Sequence, residues 1–449
     1  MDPFIARQII TDKLQHTVGC EIILADSKAN AERNELYESA AADNISRLNL
    51  DKFTDGRTAY ITFTRSMLTA NIPARFGKDK LVIQIDGSLI NDRSAHNLIR
   101  KYRQAGYKIA VIGFKVDSGY FGIMDSFDYI KVDFRDFTSP ELENILRMAR
   151  TFNKKIIAYN IECAEAYAKA KLCGCTYYQG MYIYGKIPTA VRRKGIMREG
   201  FNELFNELYS GRSDIVSITN IIGRYSEISE AVQALANSLY FASDVRTVGT
   251  DKAAAKLGEE NLRKYVYIIG FKAEDGSMPG ELIKFALLRG MLCSELAGFA
   301  DSMPITSSEA FSMGTVSMLG RLLHKPLAEV MPDTVCASLI SGQGRAGMLY
   351  KMICAYEKAD MKIAAEFAAA LGIPPSILPQ KYRECVSAYC HQVAGFIDTI
   401  RHYLSRNQTI VSQQCKLVTM VGMQFLWAMS LRLTSSRFSG RRSRGESGR

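Results

Sequence analysis

KIAVIGFKVDSG, residues 108–119, decides the fold. Ile109, Val111 and Ile112 form a short apolar, β-branched run that reads as a buried strand, and Gly113 opens a loop behind it. Runs of the same kind stand on either side: AYITFT (59–64), KLVIQID (80–86), YIKVDF (129–134), KIIAYNI (155–161) and TYYQG (176–180). Helix candidates fill the intervals, among them 94–104 and 139–151. The second opens with Ser139-Pro140-Glu141, a capping residue followed by proline at the first helical position. Strand and helix alternating at roughly 25-residue spacing predict a parallel sheet, with closure into an α/β barrel as the natural outcome. An earlier stretch, GCEIILAD (19–26), sets Glu21 inside an apolar run.

In such barrels the chemistry lies at the carboxyl ends of the strands. The residues found there are Thr62, Gln84, Ile112 with Gly113, Lys131 with Asp133, Tyr159 with Glu162, and Gln179. The strand that decides the fold therefore ends without a carboxylate.

The order GCEIILA, AYITFT, VIQID, YKIAVIGF, DYIKVDF, IIAYNIE, GCTYYQG and a closing Pro188 resembles the EAL family of cyclic-di-GMP phosphodiesterases over residues 1–190. Each motif alone is weak, but eight in order are specific. The resemblance implies a modified (β/α) barrel and hydrolysis of the cyclic dinucleotide to a linear one by two Mg²⁺ or Mn²⁺ ions. It also implies where the metal ligands should stand. Glu21 keeps its position, whereas Thr62, Gln84, Ile112, Gly113 and Tyr159 replace the family's oxygen ligands. Lys131, Asp133, Glu162 and Gln179 remain as vestigial ligand-binding positions.

A two-metal phosphodiesterase must hold hard cations with several oxygens and lower the pKa of a bridging water. Ile112 and Gly113 offer no side-chain oxygen, and Glu21 alone cannot offset the dehydration of Mg²⁺. The expectation is no metal, no cofactor and no hydrolysis. The surviving Lys131, Asp133 and Gln179-Gly180 then serve the architecture of the mouth in preference to a dinucleotide.

After Pro188 the strand alternation stops. Apolar residues recur at helical spacing through 201–209, 215–222, 231–237 and 282–297, which predicts an all-α region. The pieces LANS (235–238), 247–253, LGEENLRKY (257–265), AFSMGTVSMLGRLL and CAYEKAD resemble the HDOD domain, a relative of the HD metal phosphohydrolases. No histidine occurs between His96 and His324, so the metal-binding dyad of the true HD enzymes cannot be assembled there. Asn237 and Ser238, within the HDOD-like motif, read as a polar pair that ties helix ends by hydrogen bonds. GQGRAG (342–347) satisfies G-x-G-x-x-G but follows a helical pattern, and it reads as an interhelical turn.

Composition agrees with a folded multidomain protein: 449 residues, 47% hydrophobic and 23% charged. The expected organisation is a degenerate EAL-like barrel over 1–190, an HDOD helical domain over 191–405, and a C-terminal helix with an Arg-rich disordered tail over 406–449. The formal charge is +11, yet six arginines against Glu446 from Leu431 onward place +5 of it in that tail. No aromatic-interleaved basic face remains, so nucleic acid is not an expected partner. LVTMVGMQFLWAMSLRL (417–433) is too short and too polar for a membrane span and reads as a packed helix. The opening residues lack a secretory pattern, which makes a cytoplasmic location and ten reduced cysteines the expectation. Cys173 and Cys175, and Cys385 with Cys390 and His391, lack the spacing of a zinc site and read as buried thiols.

Together these features predict a non-enzymatic bacterial signal-transduction scaffold that acts on other signalling proteins through its HDOD domain. Metal-independent binding of cyclic-di-GMP is the alternative, and residual phosphodiesterase activity the third. The partner and the oligomeric state are left open.

Overall fold

Eight strands close a barrel in chain order: β1 (Phe4–Thr11), β2 (Thr17–Ala25), β3 (Thr58–Thr62), β4 (Leu81–Asp86), β5 (Lys108–Ile112), β6 (Tyr129–Asp133), β7 (Lys155–Tyr159) and β8 (Tyr177–Tyr178). The structure is a computed structural model and describes residues 4–25, 45, 48–116, 118–185, 198–209, 214–237, 247–270, 278–320, 343–374 and 376–392. Neighbours from β2 to β8 are parallel, whereas β1 runs antiparallel to both β2 and β8. The reversal follows from the short connection after β1. Asp12 Oδ1 accepts from the backbone N–H groups of Leu14 and His16, each at 2.8 Å, and so folds a tight turn. A connection of that length permits only an antiparallel pair. The sequence pattern gives no strand before Gly19 within the barrel expected over 1–190, because the FIARQIIT of β1 carries Arg7 and Gln8 in mid-strand where apolar residues would have advertised it.

Helices follow the strands as expected. Leu50–Thr54 and Arg65–Thr69 form the short α1 and α2, and Arg93–Gln104 forms α3. Pro140–Thr151 (α4) is capped by Ser139, whose side chain accepts from Glu141 N, and Ala164–Leu172 forms α5.

Side-chain alternation sorts the lumen into layers. Ile10, Tyr60, Val82, Ala110, Tyr129 and Ile157 pack into an apolar floor. Two residues after the floor positions of the parallel strands stand Thr62, Gln84, Ile112, Lys131 and Tyr159; Gln8 stands two residues before Ile10 on the antiparallel β1, and Gln179 two residues after Tyr177, just past β8. Glu21 joins them from β2. This second layer is the mouth.

Beyond residue 197 every described element is helical: α6 (Phe201–Tyr209), α7 (Ile215–Arg224), α8 (Ser226–Ala236), α9 (Thr250–Lys264), α10 (Val266–Gly270), α11 (Met278–Ala297), α12 (Ser307–Val316), α13 (Gly344–Glu357), α14 (Met361–Leu371) and α15 (Ile377–Gln392). The GQGRAG stretch is not a free turn, since residues 344–347 are the first turn of α13. Ser238, His324 and residues 406–449, including the apolar stretch 417–433, lie outside the described residues. No described helix is long and apolar enough to cross a membrane.

The barrel exterior and these helices share one hydrophobic cluster. Ile5 and Ile9 of β1 belong to it, together with Leu282 and Ala286 of α11, Leu349 of α13 and Val386 of α15. Within this apolar junction lies a group of charges. The Arg7 guanidinium meets Asp55 at 3.0 Å and Glu281 at 3.3 Å; Arg57 meets Glu281 at 2.7 Å; Lys284 meets Asp55 at 2.5 Å.

Candidate functional site

The mouth layer is organised around one carboxylate. Glu21 is 6% exposed, and its Oε1 lies 2.8 Å from Lys131 Nζ. Gln84 Nε2 donates to the same oxygen at 2.7 Å and to Thr62 Oγ1 at 2.6 Å. Gln179 Nε2 donates to Glu21 Oε2 and, at 3.0 Å, to Gln8 Oε1. An ionised carboxylate only accepts, so both amides must turn their N–H₂ toward it. Their carbonyl oxygens, Gln84 Oε1 and Gln179 Oε1, are consequently buried without a hydrogen-bond partner among the described residues. The Lys131 amine also stands 5.0 Å above the centre of the Tyr159 ring, which faces its positive charge with π density.

Charge follows geometry here. Burial pushes the Glu21 carboxyl up, but the Lys131 ammonium and the bonds from Lys131, Gln179 and Gln84 outweigh it and hold the group below the usual carboxylate range. Burial draws Lys131 below the ordinary lysine value, and Glu21 offsets only part of that. The two therefore form a buried ion pair in which the ammonium supplies the positive charge beside the carboxylate, although Lys131 Nζ makes no hydrogen bond of good geometry among the described residues.

The remaining candidates sit at the rim. Asp133 receives the Arg135 backbone N–H at 2.9 Å, Arg135 Nε at 2.8 Å and Nη2 at 2.6 Å, and Asn160 Nδ2 at 3.1 Å. Burial raises its carboxyl, and these donors more than reverse the effect. Glu162 lies half exposed on the loop after β7 and faces Lys358 at 3.8 Å. Ile112 presents an apolar side chain, and Gly113 leaves β5 with φ +68°. Gly180 has φ +148°, and a Cβ there would stand 2.3 Å from Ile161 O and 2.4 Å from Ile161 N, so the chain after Gln179 can touch the β7 loop only as glycine.

Two mouth residues escaped the sequence reading. Gln8 was missed with β1; its period-two relation to Ile10 was the available signal. Lys358 comes from the end of α13, and no local pattern could have brought it to a barrel rim. Elsewhere Asn237 ties the end of α8 to the chain ten residues on, donating to Thr247 O at 2.7 Å and accepting from Thr247 N at 2.7 Å. Cys173 and Cys175 are buried free thiols, the latter pushed up to about 12 by burial.

The donor set does not fit a pair of divalent ions. Mg²⁺ demands near-octahedral oxygen coordination. The buried layer supplies one carboxylate, already paired with an ammonium, and turns the N–H₂ of both amides toward it. Among the described residues no three His, Cys, Asp or Glu side chains converge as a metal site.

Residues 48–185 match the model of the EAL domain. This part of the barrel is an EAL domain. The chain is 24% identical over 347 residues to the Bacillus subtilis protein named "Uncharacterized protein YuxH", covering 74% of this chain and 84% of that one. It is 23% identical over 387 residues to the Vibrio cholerae protein named "Cyclic di-GMP phosphodiesterase CdgJ", covering 82% and 88%. Both alignments are longer than the EAL domain and so include helical residues. Among solved structures, the EAL enzyme Bd1971 bound to cAMP and cyclic-di-GMP matches with a TM-score of 0.35 at 13% identity, over 40% of this chain and 61% of that one. The Klebsiella pneumoniae BlrP1 calcium and cyclic-di-GMP complex matches with a TM-score of 0.32 at 18% identity, over 40% and 55%.

Proposed function

We propose that this chain is a non-hydrolytic signal-transduction protein of the cyclic-di-GMP system. Its EAL domain is degenerate, and its HDOD-like helical region provides the surface that other signalling proteins meet. The observation that supports this most is the closed pairing of Glu21 with Lys131, Gln84 and Gln179. Catalysis by two metals would require that carboxylate to face cations, and the positions beside it to supply oxygens where Thr62, Gln84, Ile112, Gly113 and Tyr159 stand. The purified chain, incubated with cyclic-di-GMP and Mg²⁺ or Mn²⁺, is expected to release no linear dinucleotide. Steady product formation that Glu21→Ala abolishes would instead align the chain with the activity in CdgJ's name.

A second reading, metal-independent capture of cyclic-di-GMP, has its own support. Gln84 Oε1 and Gln179 Oε1 await hydrogen-bond donors, and Arg135 and Lys358 bring cations to the rim. Calorimetry with the dinucleotide, with and without Mg²⁺, separates the two readings. Heat that is independent of metal selects the sensor, and its absence selects the scaffold.

A further inference from the structure

The barrel has a weak seam. β8 is two residues long, and β1 meets it at a single position, Thr11 opposite Tyr178. Among the described residues, no strand pairs with the edge of β1 that faces away from β2 from Ile5 to Ile9, and buried backbone groups left unpaired are costly. Three tyrosine hydroxyls take the strand's place. Tyr356 of α13 donates to Ile5 O at 3.0 Å; Arg7 N donates to Tyr382 Oη of α15 at 3.3 Å; Ile9 N donates to Tyr184 Oη at 3.2 Å. Tyr356 and Tyr382 lean on one another with ring centres 5.4 Å apart, and Tyr184 packs on Phe285 of α11 at 4.6 Å.

The same seam is crossed inside the lumen. Gln179 Nε2, just beyond β8, reaches Gln8 Oε1 of β1, and Gln8 Nε2 reaches on to the backbone oxygen of Glu357 at 3.4 Å. The Glu357 side chain is held by Arg289 of α11 with two bonds from Nε at 3.0 Å and one from Nη2 at 2.5 Å, and Arg289 Nη1 donates to Ser317 Oγ at 2.9 Å. Glu21, Gln179, Gln8, Glu357 and Arg289 thus form one continuous polar chain from the mouth to the core of the helical region.

We propose that the helical region is the seam lock of the barrel: α13 and α15 hold β1 in register, so that a shift of these helices is transmitted through Gln8 to the Gln179–Glu21 contact, and a change at the mouth is transmitted back. The coupling is a property of the packing and stands whether or not the mouth hydrolyses a ligand. It gives a partner bound to the helices a physical route to the barrel mouth.

The test uses the full chain and amide hydrogen exchange. Tyr356→Phe and Tyr382→Phe keep the rings and remove the hydroxyls; each is expected to speed exchange of the Ile5–Ile9 amides about tenfold, the effect of losing one hydrogen bond of ordinary strength. The decisive readout is distant. Exchange at Tyr177–Gly180 is expected to rise severalfold in the same variants. In the reverse direction, Glu21→Gln is expected to raise exchange at the end of α13, and adding Gln8→Leu is expected to abolish that response while the protein remains folded by circular dichroism. Faster exchange confined to β1, with Tyr177–Gly180 and α13 unchanged, would overturn the proposal.

Discussion

Two groups of buried charge face each other across a single strand. On the lumen side of β1, Gln8 joins Glu21, Lys131, Gln84 and Gln179; on the outer side Arg7 joins Asp55, Glu281, Arg57 and Lys284. The outer group pairs three cations with two carboxylates and is enclosed by helices. The inner group has one charge of each sign and, among the described residues, leaves Gln84 Oε1, Gln179 Oε1 and Lys131 Nζ without a hydrogen bond of good geometry. A buried charge persists only when compensated, so the outer group reads as the fastening of two regions. The inner group is one carboxylate held by one ammonium and two side-chain amides at the barrel mouth.

The comparison breaks first at Glu281, which serves two arginines. Glu281→Ala leaves Arg7 and Arg57 short of a buried counter-charge, and the expected loss is about 3–5 kcal/mol in denaturant unfolding. A loss below about 1 kcal/mol would show that the junction is solvated in solution. Lys131→Met comes next. Glu21 can escape by taking a proton, which at pH 7 costs about 1.4 kcal/mol for each unit between the pH and its pKa, so the ceiling is about 3–4 kcal/mol. Adding Glu21→Gln should restore most of that stability; strict additivity of the two substitutions would contradict the pairing.

A smaller effect is expected at Gly180→Ala, where a Cβ runs into the Ile161 backbone and φ is positive. About 1–3 kcal/mol should be lost, centred on the β7–β8 loops. The smallest is a pH effect. Glu21 has a lower pKa folded than its unfolded reference of 4.5, so the folded state binds fewer protons in that range. The stability it contributes is full above about pH 4.5 and is lost as the pH falls through the native value. Glu21→Gln should flatten the acid limb of the stability curve, while Asp133→Asn leaves a similar but shallower slope, its carboxyl being partly exposed.

Much of the barrel was legible because a parallel strand buried on both faces announces itself as an apolar run. AYITFT, KLVIQID, KIAVIGF, YIKVDF and KIIAYNI each became a strand within two residues of the expected ends. β1 was not legible, because Arg7 and Gln8 interrupt its apolar pattern for reasons that lie in other elements: one salt-bridges to α11, the other bonds Gln179. The family resemblance supplied Glu21, Lys131 and Gln179, and alternation along the strands puts them in one layer. It could not supply their state. That Gln84 and Gln179 donate to Glu21 depends on distances between strands 60 to 160 residues apart, and so does the approach of α13 to the rim through Glu357 and Lys358.

The most direct test of the central claim is titration of the purified chain with Mn²⁺ followed by electron paramagnetic resonance. The closed Glu21–Lys131 pair predicts a free-ion signal that grows with added Mn²⁺ as in buffer, identical in the wild type and Glu21→Gln. Two ions held per chain, released by Glu21→Gln, would contradict it.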